Sequence, residues 1–312
     1  MRRLRFWLGL PLIVVCHLAW ADTAADLLAR AAHAARTLDY SGIYLYRDGD
    51  HIQVMSIAHR VDGKTDKVKV DVLDGPHREF LQLGNQVLCR LENGPPIRLE
   101  NSALRRFFPS LLPADPSKLF AYYQPVLGSV SSVAGRPCQE VRLVPKDAYR
   151  YTHVLWLDDA TGLPLKARVL DNEGKVIAFY VFSQISIGAP PPENIFHFDA
   201  PPGSLPAAVL PETFSPGRWV MHAPPGYHEV LKTRRPLPGR STPVNHIIFT
   251  DGLSAVSLFI EPASARDGGA SGLSQDSSVK VYSRRYQAYR VTAMGEVPAA
   301  TLIDLANSVE LK

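Results

Sequence analysis

Residues 40–73 read YSGIYLYRDGDHIQVMSIAHRVDGKTDKVKVDVL, and the fold class turns on how this run divides. Ser41 to Arg47 is a strand-like run, Asp48-Gly49 breaks it, and Ile52 to Val61 returns. Asp62-Gly63 breaks again before Lys67 to Leu73 goes back. Asp-Gly between two such runs is a hairpin signal, because the favoured two-residue turn needs positive φ at both central positions. The stretch predicts an antiparallel meander.

Upstream, Thr23 with Asp26 fits a capping box, and Leu27, Leu28, Ala31, Ala34, Ala35 and Leu38 follow at helical spacing. Downstream, Asp74-Gly75-Pro76 stops the third run before Arg78 to Leu83 and Gln86 to Leu91, closed by Asn93-Gly94. Asn101 to Gln124 departs from the pattern, with Phe107-Phe108-Pro109, Leu111-Leu112-Pro113 and a short helix expected over Pro116 to Tyr123. Strands resume at Val126 to Val133, Cys138 to Val144, His153 to Leu157, Leu165 to Leu170 and Val176 to Ile187. One helix and some ten strands predict a sheet curled about the helix, an incomplete barrel.

The stretch 188–216 holds Pro190-Pro191-Pro192, Pro201-Pro202, Pro206, Pro211 and Pro216. Proline removes backbone donors and fixes φ, so this reads as a semi-rigid connector. Beyond it come a hairpin (Val244 to Thr250, Asp251-Gly252, Leu253 to Ile260) and a Gly/Ser-rich loop from Ala263 to Ser278. Strands at Val279 to Arg285 and Tyr289 to Met294 follow, then a helix opening at Pro298. The expected fold is mainly β (α+β): a half-open antiparallel β-barrel around a helix over 22–187, a connector over 188–216, and a smaller α+β C-terminal domain over 217–312.

The N-terminus has Arg2, Arg3 and Arg5, an apolar run from Phe6 to Leu18, and Ala19-Trp20-Ala21. This is the pattern of a secretory signal peptide over 1–21, cut after Ala21, and predicts a periplasmic protein. A lipoprotein reading would make Cys16 the first mature residue, but Val15 stands where processing wants a small side chain. The whole chain has 34 Lys and Arg against 30 Asp and Glu; losing those three arginines leaves 31 against 30. A global basic field for nucleic acid is absent.

Cleavage also leaves two cysteines, Cys89 and Cys138, both in strand-like runs. In an oxidising compartment they are read first as one disulfide, with two buried thiols as the other reading. No metal is expected, because the cysteines lack a CxxC spacing and no histidines pair as H-x-x-x-H. Gly252-Leu253-Ser254-Ala255-Val256 lacks the second glycine and the strand-turn-helix context of a nucleophile elbow. No phosphate-cradling glycine loop precedes a helix, so neither an enzyme nor a cofactor is expected.

Binding is better supported. A curled sheet leaves an apolar concavity, which Phe107, Phe108, Phe120, Tyr122 and Tyr123 could line or lid, plain core packing being the alternative. Lys232, Arg234, Arg235 and Arg240, with Arg284, Arg285 and Arg290, form basic clusters suited to an acidic peptide or lipid phosphates, or to solvated surface.

Several stretches resemble the RseB/MucB family, periplasmic negative regulators of the envelope-stress sigma factor. They are Tyr40 to Arg47, Leu73 to Glu79, Pro145 to Tyr151, Leu155 to Asp158, Thr161 to Lys166, Thr250 to Pro262 and Gly295 to Ala299, in order along nearly the whole mature chain. Ser277-Ser278 and Gln287-Ala288 depart from the family pattern in the second domain. The resemblance implies an N-terminal domain like the lipoprotein carriers LolA and LolB. It also implies a partner, the periplasmic part of a membrane-anchored anti-sigma factor (RseA/MucA-like), shielded from proteolysis until a lipid or lipopolysaccharide ligand fills the barrel. A lipid or lipoprotein carrier is the alternative, and a homo-oligomer stays open.

Overall fold

In the computed structural model the described residues are 22–63, 65–84, 86–92, 94, 96–99, 107–198, 212–213, 219–235, 242–263, 271–276 and 278–312. The expected signal peptide, Arg240 and most of the proline-rich connector lie outside them. The chain opens with α1 (Ala24–Thr37), where the Thr23 hydroxyl accepts from the Asp26 N–H at 3.2 Å and the Asp26 carboxylate accepts from the Thr23 N–H at 3.1 Å. That reciprocal cap satisfies donors that a helix start otherwise leaves without partners. Leu28, Ala31, Ala32 and Ala35 form its buried stripe.

Eleven strands follow: β1 (Tyr40–Asp48), β2 (His51–Asp62), β3 (Thr65–Val72), β4 (Arg78–Leu83), β5 (Gln86–Leu91), β6 (Ile97–Leu99), β7 (Tyr123–Val133), β8 (Arg136–Pro145), β9 (Thr152–Asp158), β10 (Pro164–Leu170) and β11 (Val176–Ile187). They form one antiparallel sheet in the order β6-β5-β4-β3-β2-β1-β11-β10-β9-β8-β7. Its two edges, β6 and β7, do not pair with each other, so the sheet curls without closing. Two meanders meet at a central seam, β1 against β11. Ile43 pairs with Gln184 but Tyr44 with Phe182, so β11 bulges at Ser183. At this seam a Cβ on Gly42 would clash with Gln184 O and crowd the Phe182 ring; only glycine fits.

The concave face carries Tyr40, Tyr44, Met55, Ile57, Val70, Val72 and Phe182, all buried in one cluster with the helix stripe. α1 covers the β7–β8 side, and the cavity described below occupies the β1–β4 side. On the convex face, Lys166 Nζ lies 4.2 Å and the Arg168 guanidinium 5.2 Å from the Trp156 ring. Also on that face, the connector does not leave at Gly188 as free chain. Phe196 packs on Ala58 and Leu81, Arg60 donates to Pro191 O at 2.7 Å, Glu193 pairs with Lys67, and Lys69 donates to His197 O at 3.1 Å. The first part of the proline-rich stretch is therefore a strap across β2–β4.

The second sheet orders β12 (Glu212–Thr213), β14 (His228–Arg235), β15 (Val244–Thr250), β16 (Ala255–Pro262), β19 (Tyr289–Gly295), β18 (Val279–Tyr286) and β17 (Gly272–Asp276). β13 (Trp219–Val220) and β20 (Glu310–Leu311) make a separate ribbon. α2 (Ala299–Asn307) covers one face with Leu302, Leu305 and Ala306, packed on Ile247, Phe249, Val256, Leu258 and Val291.

Three expectations are corrected. The helix expected over Pro116 to Tyr123 is a 3₁₀ turn over Pro116–Ala121, and Tyr123 already begins β7. The loop from Ala263 to Ser278 contains edge strand β17. Cys89 and Cys138 are not bridged. They lie on β5 and β8, each one strand in from opposite edges of an open sheet, whereas a disulfide needs Cα atoms within about 7 Å. Both thiols are buried, and burial pushes the Cys138 thiol up to about 11.

Candidate functional site: a cavity roofed by the second sheet

Register explains where the hollow forms. Tyr44 faces Met55, and Met55 faces Val72. These side chains line one wall of a cavity of about 630 Å³, with Tyr46, Phe80, Phe107, Phe108 and Leu111. Thr250, Ser254, Ser257, Met294 and Glu296 of the second sheet roof it. Phe108 stacks on Tyr180 with centroids 5.3 Å apart, and Tyr46 stacks on Tyr180 at 4.7 Å, so the apolar wall is held by interlocked rings.

The polar groups in this wall are Gln53, Arg78, His153 and Glu296, with hydroxyls at Tyr44, Tyr46, Tyr180, Thr250, Ser254 and Ser257. Burial pushes His153 down to about 4, and its Nε2 meets no hydrogen-bond partner. Burial pushes the Glu296 carboxyl up. Neutral forms of both are the forms a low-dielectric site favours.

The roof is fixed by a polar junction. Arg150 is buried to 1% exposure; it pairs with Asp147, donates to Pro225 O, and faces Asp251 Oδ2 from Nε at 3.2 Å. Its guanidinium lies over Tyr122 at 4.5 Å and Tyr227 at 5.1 Å. A Cβ on Gly226 would intrude on both Arg150 and the Tyr122 ring, and its φ of +83° suits glycine alone. Asp251, in the β15–β16 turn, also accepts from the Tyr123 hydroxyl at 2.8 Å and from the N–H groups of Leu253 and Ser254 at 2.9 and 2.8 Å. Beside it the Tyr151 hydroxyl donates to Val297 O at 3.0 Å, and Ser278 N–H donates to Asp48 at 2.8 Å. The run Pro145 to Tyr151 thus joins the two sheets.

Of the five aromatics expected at the concavity, Phe107 and Phe108 line it. Tyr122 and Tyr123 belong to the Arg150–Asp251 junction, and Phe120 packs half-buried against the core. Of the basic residues, Lys232, Arg234 and Arg235 lie on β14, while Arg284, Arg285 and Arg290 lie on β18 and β19, where Arg285 pairs in register with Arg290. Lys232 pairs with Glu229 at 3.7 Å, and Arg234 is exposed beside it on β14. Arg284 donates to Ala306 O and Val309 O, each at 2.8 Å, and so caps the end of α2, while Arg285 is exposed. Arg78, His153, Glu296 and Arg150 were not singled out from the sequence. The signal available was strand alternation, which puts Arg78 on the same face as Phe80. Among the described residues no group of acids, histidines and cysteines could hold a metal, and no helix is long and apolar enough to cross a membrane.

Comparison with known proteins agrees with this architecture. The family model for the MucB/RseB N-terminal domain matches residues 23–209, and that for the MucB/RseB C-terminal domain matches 214–310. The sigma factor AlgU regulatory protein MucB of Pseudomonas aeruginosa is 32% identical over 301 residues, covering 93% of this chain and 91% of that one. The sigma-E factor regulatory protein RseB of Escherichia coli K12 is 25% identical, covering 98% of each. A solved complex of Pseudomonas aeruginosa MucA/MucB superposes with a TM-score of 0.74 at 29% identity, over 93% of this chain and 99% of that one. Those relatives are regulatory proteins, not enzymes. Matched along both halves in sequence and in three dimensions, the chain belongs to the MucB/RseB family.

Proposed function

We propose that this protein is a periplasmic negative regulator of an envelope-stress sigma factor. It binds the periplasmic part of a membrane-anchored anti-sigma factor, shields that segment from proteolysis, and releases it when a lipid or lipopolysaccharide ligand enters the cavity. The N-terminal signal pattern supports export. Partner binding is supported by the relatives, since one solved structure is of MucB in complex with MucA(peri). The observation that carries the reading is the construction of the cavity, with walls from the first sheet and a roof from the second. A ligand that favours a different roof position shifts the arrangement of the two sheets, and a partner touching both feels that shift. By linkage the ligand weakens the partner as much as the partner weakens the ligand.

The test is protection. The purified protein is incubated with the cognate anti-sigma periplasmic segment and its protease, with and without lipopolysaccharide. Cleavage should slow when the protein is present and recover when lipopolysaccharide is added. Cleavage at the same rate with and without the protein would remove the regulator reading; protection that lipopolysaccharide leaves intact would remove the lipid signal.

A further inference from the structure

One side chain in the cavity wall differs in kind from its neighbours. Asp71 pairs with Glu79, so the concave row Tyr44–Met55–Val72 continues onto Arg78 at the start of β4. Three apolar side chains on adjacent strands thus end in a guanidinium. Strand spacing makes the row about 14 Å long from β1 to β4. Arg78 Nε is buried without a hydrogen-bond partner, and Arg78 has no ion pair among the described residues. Its sequence neighbour Glu79 points to the opposite face and is engaged there by Lys69 at 3.3 Å and by Arg90. Asp74, at the adjoining turn, accepts from the Val54 N–H at 2.7 Å.

We propose that Arg78 binds the anionic head of an amphiphile whose single apolar chain lies along Tyr44, Met55 and Val72. This rests on reading the cavity as a lipid site and adds the head-group chemistry and the residue that selects it. A half-buried guanidinium in the cavity wall, with its Nε buried and unpartnered, offers a fork that matches a phosphate or carboxylate oxygen pair. The size agrees with one chain: about 630 Å³ holds roughly twenty groups of water or methylene size, at about 30 Å³ each. The one carboxyl in the lining, Glu296, has its charged form disfavoured by burial, so it does little to repel an anion.

Calorimetric titration with dodecyl phosphate, 1-monolauroylglycerol and inorganic phosphate, each below any micelle concentration, tests this on the wild type, Arg78→Gln and Arg78→Lys. Arg78→Gln should weaken dodecyl phosphate about tenfold or more, the scale of one charge-assisted pair. It should leave monolauroylglycerol within about twofold, as expected if Arg78 makes no contact with an uncharged head. Arg78→Lys, which keeps the charge but not the fork, should fall between. Equal effects on both amphiphiles, or none, overturn the head-group assignment while the lipid cavity stands. Uptake of neither amphiphile by the wild type overturns both. Inorganic phosphate binding as tightly as dodecyl phosphate would make this a free-phosphate site and overturn the amphiphile.

Discussion

Replacing Arg150 by methionine should show how strongly the roof is tied to the barrel. The guanidinium is buried between Asp147 and Asp251, donates to Pro225 O and lies over Tyr122 and Tyr227. Removing one partner of a buried ion pair costs about 3–5 kcal/mol, because a charge is left behind without compensation. Here the stranded acids are partly provided for. Asp251 keeps its bonds from Tyr123, Leu253 and Ser254, and the Asp147 side chain is 26% exposed and can rehydrate. The lower end therefore applies, about 3 kcal/mol, to which loss of the ring contacts adds on the order of 1 kcal/mol. Urea unfolding followed by tryptophan fluorescence reads both halves, since Trp156 lies in the first sheet and Trp219 beside the second. The double variant Arg150→Met with Asp251→Asn should lose at least about 1 kcal/mol less than the sum of the two singles. A single-variant loss below about 1 kcal/mol, or strict additivity in the cycle, would refute the account of the junction.

Three further outcomes follow from the geometry. Gly42→Val places side-chain atoms against Gln184 O and the Phe182 ring, and should cost about 1–3 kcal/mol or more in the same assay; an unchanged midpoint would mean the seam can open to admit it. Thiol titration of protein without its first 21 residues should give two groups when unfolded without reductant and none when folded, as Cys89 and Cys138 are buried and not bridged; fewer than two in the unfolded chain would restore the disulfide. His153 and His246 each sit near 4 when folded, through burial, against 6.5 as their ordinary value. Between those values the unfolded chain binds the extra protons, so stability is full above about 6.5 and falls as pH drops toward 4, by about 1 kcal/mol per pH unit for each histidine. His246→Phe, which keeps a ring beside Phe259 (centroids 4.4 Å apart), should flatten that slope, and an unaltered slope would count against it.

Much of the fold was legible because its strands announce themselves. The hairpin turns at Asp48-Gly49 and Asp62-Gly63, the Thr23–Asp26 cap and the Pro298 helix start all fall where local chemistry puts them. Two strands that escaped notice lie at the margins of the second sheet: β17 is an edge, and β14 has only the two-residue β12 outside it. β14 reads His228-Glu229-Val230-Leu231-Lys232-Thr233-Arg234-Arg235, and β17 carries Gly272 and Ser274. Edge strands face water on more sides and need no apolar alternation, so they look like surface or loop. The cysteine pair failed for a different reason: belonging to strands says nothing of strand order, and the order keeps β5 and β8 apart. The site was half visible for the same reason. Phe107 and Phe108 stood out as aromatics, whereas Arg78, His153 and Glu296 meet only through register across the sheet and the placing of the roof.

The central seam has a consequence for the order in which the barrel can be made. Strands β1 to β6 form one local meander and β7 to β11 another, each assembled from neighbours in sequence. Joining them requires Tyr40–Asp48 to wait for Val176–Ile187, which emerge late in the chain, and such distant pairing is slow to form. Until then β1, with Ile43, Tyr44, Leu45 and Tyr46 in a row, has one backbone edge open. An apolar strand left open in this way is a template for mispairing with other chains. A newly made molecule is therefore most prone to aggregate in the interval before β11 arrives to cover it.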